Sequence, residues 1–124
     1  MFSILFSNQP MDIIAKWATA NGQTIEKATI LLRQMDCAIK HGRMSLRTLP
    51  SVFRDDELQR IEASVLLLMG AKTVMYDSKK AARHAQQLIK HVKVEFIPDA
   101  GHLLTIERPE VVNEKVLRFL KTSV

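Results

Sequence analysis

The sequence predicts an α/β fold, and three observations carry that prediction. Two short apolar runs, Val-Leu-Leu-Leu-Met at 65–69 and Val-Lys-Val-Glu-Phe-Ile at 92–97, are closed by Gly70 and Pro98, residues that end regular structure. Between them Ala81, Ala82, Ala85, Leu88, Ile89 and Val92 recur at helical spacing behind Ser78. The run 65–69 is apolar at every position, so both its faces need cover, as in a buried parallel strand rather than a half-solvated antiparallel one. Strand, helix and strand in that order make a right-handed crossover unit. Two parallel strands with flanking helices, preceded by a helical segment, is the expected architecture.

Taken in order, the first third is helical. Ile13, Ile14 and Trp17 form one apolar stripe, and Ile25, Ala28, Leu31, Leu32, Met35 and Ile39 a longer one, with the Asn21-Gly22 break between them. Thr24 is placed to cap the second helix, and Gly42 stands where a left-handed residue would end it, with Lys40 and His41 near the negative end of its dipole. A polar connector containing Pro50 follows, and Asp55, Asp56 and Glu57 open a short helical turn. Ser78 is placed to cap the helix between the strands. Pro109 suits the first turn of a closing helix running to about 121, whose buried stripe is Val112, Val116, Phe119 and Leu120. Residues 1–54 thus form a helical segment and connector, and 55–124 a strand-helix-strand-helix unit.

Composition excludes several classes. The 124 residues are 47% hydrophobic and 25% charged, with 18 Lys plus Arg against 13 Asp plus Glu for a net charge of +5. That is a globular balance, too apolar for a chain that stays unfolded. A single cysteine, Cys37, excludes a disulfide scaffold, and its place among helical apolar positions reads as a buried core thiol. No apolar run approaches the roughly 20 residues that cross a bilayer, and the opening 1–6 lacks the basic start and the cleavage site of a signal peptide. A soluble, cytoplasmic chain is expected, without a membrane partner.

Lys79, Lys80, Arg83, His84, Lys90, His91 and Lys93 concentrate positive charge around the helix between the strands. With 6% aromatic residues and no nucleic-acid-binding signature, this is a solvated face and no nucleic-acid partner is expected. His84 and His91, seven apart, can share a helical face, but no Cys or carboxylate near them completes a ligand set, so no metal or other cofactor is expected. Gly70-Ala71-Lys72-Thr73 has the ending of a phosphate-binding loop, yet Val65 stands where that loop needs its first glycine.

Two parallel strands leave an open edge and too little apolar surface covered for a stable domain, so the sheet needs more strands. The segment from about 52 to 120 resembles the C-terminal end of the α/β-hydrolase fold in its esterase and lipase-like branch. The stretch Ile61-Glu62-Ala63-Ser64-Val65-Leu66-Leu67-Leu68-Met69-Gly70 is similar to the penultimate strand, and Pro98-Asp99-Ala100-Gly101-His102-Leu103-Leu104 to the loop bearing the catalytic histidine. Glu107-Arg108-Pro109-Glu110-Val111-Val112-Asn113, continued by Val116-Leu117-Arg118-Phe119-Leu120, is similar to the closing helix.

The resemblance implies ester or related acyl hydrolysis through a covalent acyl-enzyme, with His102 as general base and then general acid, and Gly101 allowing the sharp turn before it. The acidic partner of the base belongs where Thr73 stands, and Asp77, four residues on, is the nearest substitute, although it also suits the start of the following helix. No serine has a glycine two places before it, so the Gly-x-Ser-x-Gly nucleophile elbow is absent, as is any His-Gly-Gly stretch for an oxyanion hole. Cys37, inside a helix, is no replacement. The first helices resemble the cap that such hydrolases place over the active site; Trp17, Met35 and Met44 could line its pocket, but apolar residues at helical spacing are more often simple core.

The expectation is a hydrolase-derived chain, cut off upstream and inactive alone, whose substrate class would be a small-molecule ester. The alternatives are one piece of a split hydrolase, or a non-catalytic interaction module pairing through the exposed sheet edge. In each case the open edge predicts self-association or a second chain that completes the sheet.

Overall fold

The computed structural model describes residues 17–20, 26–42 and 51–122. The Ile13 and Ile14 stripe, the Asn21-Gly22 break, the Thr24 cap, Met44 and most of the connector, with Pro50, lie outside them. The described elements are α1 (Glu26–His41), α2 (Asp55–Gln59), β1 (Val65–Gly70), α3 (Ser78–Leu88), β2 (Val92–Ile97), α4 (Leu104–Glu107) and α5 (Pro109–Thr122).

The predicted strand pair forms: β1 and β2 run parallel, with Val65 opposite Val92 and Gly70 opposite Ile97. Because side chains alternate across a strand, Leu66, Leu68, Lys93, Glu95 and Ile97 share one face of this pair. The closing helix α5 covers that face. Fully buried Ile97 meets Ala100 and Val112 there, with Leu68, Leu104 and Val111 packed around them. The crossover helix α3 packs against both strands. Contrary to expectation, β1 is not buried throughout. Val65 to Leu68 are half-buried and only Met69 and Gly70 are enclosed, because among the described residues β1 has β2 on one side and no strand on the other.

Several helix ends differ from the prediction. The cap of α3 is Asp77 rather than Ser78; its carboxylate accepts a hydrogen bond from the Lys80 N–H at 2.9 Å, and Ser78 becomes the first helical residue. The helix stops at Leu88, with Ile89 extended and Val92 in β2, so those two continue its apolar spacing without belonging to it. His91 therefore lies beyond the helix, and His84 pairs instead with Asp55 at 3.1 Å, joining α2 to α3. Among the described residues no group of three or more His, Cys, Asp or Glu could hold a metal ion. The acidic opening of α2 is as predicted: Glu57 accepts from the Arg54 N–H at 2.7 Å, and Asp56 pairs with Arg60 at 3.0 Å.

Helix α1 ends with Gly42, whose N–H donates to the Ala38 carbonyl at 2.7 Å. The backbone of Gly42 is not left-handed; glycine is needed because a side-chain carbon would overlap that carbonyl oxygen. Leu32 is buried, but Ile30, Met35 and Cys37 are exposed. The core thiol expected at Cys37 is thus a surface one, since the periodicity that selects an apolar face does not supply a surface to cover it.

Electrostatics also fasten α5 to the sheet. Glu95 on β2 accepts hydrogen bonds from Lys115 on α5 and from Lys93, which pushes its pKa from the ordinary 4.5 down to about 2. A carboxyl lowered on folding stabilises the native state above its unfolded pKa, and that contribution disappears as pH falls from about 4.5 to about 2. Thermal melts across this window are expected to show Tm falling more steeply for the parent chain than for Glu95→Gln, which has no such charge to lose. Parallel slopes would overturn this assignment.

Candidate functional site

The loop after β2 builds the site. Its left-handed residue is Asp99, at φ 53, a conformation that Asp tolerates better than most residues. The Asp99 carboxylate pairs with Lys72 on the loop after β1, which holds its pKa below the ordinary range, and Lys72 N–H donates to the Ala100 carbonyl at 2.9 Å. The two strand-end loops are thereby tied together at the carboxyl edge of the sheet.

Gly101 serves close approach rather than the sharp turn that the sequence suggests. A side-chain carbon there would lie 2.6 Å from the Ala18 carbonyl oxygen and 2.7 Å from the Ala20 nitrogen. The segment 17–20 lies directly against this loop, and Ala18 O accepts from the N–H groups of His102 at 2.7 Å and Leu103 at 3.3 Å. His102 itself is exposed. Its ring stands edge-to-face with Tyr76, centroids 6.2 Å apart at 83°, and makes no hydrogen bond or ion pair among the described residues.

The other two predicted site residues are not brought to that ring. Thr73 uses its hydroxyl to accept from Met75 N–H at 3.4 Å, within its own loop. Asp77 caps α3, and the Lys80 N–H, chief among several causes, holds its carboxyl below the ordinary range. From the loop 70–77 it is Tyr76 that reaches His102.

Beside His102 runs a groove of about 530 Å³, walled by Leu66 and Leu68 of β1, by Leu104 and Thr105, and by Val112, Val116 and Phe119 of α5. It is apolar except for the imidazole and one hydroxyl. An exposed imidazole bordering an apolar groove between β1 and α5 can take a proton from a nucleophile carried on a neighbouring strand. The described residues bring no nucleophile to it.

One residue of this site escapes sequence reasoning. Glu107 closes the single turn α4, and its carboxylate accepts from Gly101 N–H at 2.9 Å and from Ala20 N–H at 2.8 Å. No pattern in the sequence marks it, because both groups it holds are backbone amides.

No protein-family model matches the chain. Among curated proteins, carboxylesterase YbfK of Bacillus subtilis (strain 168) is 36% identical over 111 residues, spanning 85% of this chain and 37% of that one. Among solved structures, carboxylesterase CesB (YbfK) from Bacillus subtilis superposes with a TM-score of 0.80 at 30% identity, over 98% of this chain and 44% of that one. The chain carries part of an α/β-hydrolase fold and is related to the carboxylesterases. The naproxen esterase of Bacillus subtilis gives the same fold at a TM-score of 0.75 and 27% identity, over 92% of this chain and 41% of that one. This hydrolase-fold chain spans less than half the length of each of these relatives. No helix among its described residues is long and apolar enough to cross a membrane.

Proposed function

We propose that this chain supplies the general base, His102, to an ester-hydrolysing site whose nucleophile must come from strands laid against the free edge of β1. The observation that carries the reading is an exposed His102 among the residues that line an apolar groove walled by β1 and α5. The relationship to carboxylesterases supports acyl hydrolysis as the chemistry and a small-molecule ester as the substrate. Residues 1–54 are read from the sequence as a cap-like segment and connector. Asp77 is the candidate acid should its loop rearrange, since Thr73 has no charge to stabilise an imidazolium. The partner is a polypeptide completing the sheet, and the setting is cytoplasmic, where the surface thiol of Cys37 stays reduced.

Acyl transfer needs nucleophile, base and oxyanion donors around one point, and the 124 residues contain no Gly-x-Ser-x-Gly elbow. The chain alone is therefore expected to hydrolyse a short-chain p-nitrophenyl ester at the background rate, equally with His102 and with His102→Ala. Activity that vanishes in the variant would overturn the reading, since it would require a nucleophile within this chain.

A second reading is a non-catalytic module that keeps the fold and pairs through β1. The Thr73 hydroxyl, satisfied by its own loop, favours it, because loss of the acid is tolerated once catalysis is gone. Adding the elbow-bearing portion of a related carboxylesterase separates the two. Ester hydrolysis that depends on His102 supports the first, and tight association without hydrolysis the second.

A further inference from the structure

We propose that Glu107 is the positioning residue for His102, fixing the base by clamping the backbone on its N-terminal side to the segment 17–20. The chain turns back on itself directly after the histidine: the Leu103 carbonyl accepts from Ile106 N–H at 2.8 Å and from Glu107 N–H at 2.9 Å. That single turn returns the Glu107 carboxylate to the amide immediately before His102, at Gly101, with one oxygen. The second oxygen holds Ala20, 87 residues away in sequence. Ala18 completes the clamp by accepting from His102 and Leu103.

A carboxylate suits this task because it has two acceptor oxygens and no donor, so it satisfies two converging N–H groups at once. Glutamine retains one acceptor and turns a second donor toward an N–H, and alanine removes both. The same geometry separates Glu107 from the role of triad acid: both its oxygens face backbone amides, not the imidazole. Its effect on catalysis rests on the reading of His102 as base, but its effect on the loop does not.

The test uses the isotope-labelled 124-residue chain, comparing parent, Glu107→Gln and Glu107→Ala. In Glu107→Ala the Gly101 and Ala20 amides are expected to exchange with solvent about tenfold faster or more, since hydrogen bonds to charged groups are the stronger kind. In Glu107→Gln one of the two is spared. In both variants the His102 ring signals are expected to broaden or split relative to the parent, while the Glu95 and Ile97 amides, which face β1 in the ladder, keep their protection. Unchanged Gly101 exchange in Glu107→Ala would overturn the clamp. Unchanged ring signals with faster Gly101 exchange would overturn the positioning role, as would loss of protection spread equally through β2. None of these readouts requires ester hydrolysis, so a failure of the proposed activity leaves this assignment standing or falling by itself.

Discussion

Ile97→Ala is expected to remove about 3–4 kcal/mol of stability, in the middle of the range for truncating a buried aliphatic side chain. Ile97 is 0% exposed and sits where the end of β2, the histidine loop through Ala100, and α5 through Val112 converge. Its neighbours Leu68, Leu104 and Val111 are only partly buried, so some relaxation into the space keeps the loss below the top of that range. In a small domain of marginal stability a loss of this size leaves a large fraction unfolded at room temperature. Urea titration of parent and variant checks it, with the midpoint falling and the slope unchanged. Ile97→Val, which deletes one methyl group, is expected to cost about 1 kcal/mol in the same assay. A shift for Ile97→Ala no larger than that of the valine variant would show that this junction is not the keystone of the core.

Gly101→Ala acts by a different route. The added carbon would meet backbone on three atoms, Ala18 O at 2.6 Å, Ala20 N at 2.7 Å and Thr19 C at 2.8 Å, and backbone cannot step aside as a side-chain tip can. The segment 17–20 must leave the loop, losing the hydrogen bonds from His102 and Leu103 to Ala18. Overpacking of this kind costs about 1–3 kcal/mol. The sign that the damage is local is faster amide exchange at His102 and Leu103 together, with α3 unaffected. A variant with parent-like exchange at both would mean that the close packing against 17–20 is absent in solution.

What was legible in the sequence is what depends on short-range pattern. The parallel pair, the acidic opening of α2 and Pro109 at the start of α5 all follow from periodicity and from residues that begin or end elements. The place of His102 in a loop between a strand and a helix was legible because that loop is patterned. Asp77 against Ser78 shows the limit of such reading: two capping side chains stand side by side, and the helix begins wherever the Lys80 N–H finds the better-placed acceptor. Cys37 and the half-buried β1 show another. Periodicity names a face that wants cover, while cover itself is a property of other parts of the structure. Glu107 was illegible for a third reason: what it binds is the backbone of distant residues, and backbone carries no sequence signature.

The Glu107 to Ala20 tie has a meaning in time as well as in space. The strand-crossover unit joins contacts close along the chain, which form early, whereas a contact across 87 residues must first meet the entropy of closing a long loop. The strands can therefore pair before the histidine loop has its final shape, and His102 acquires its setting only when residues 17–20 return to meet that loop.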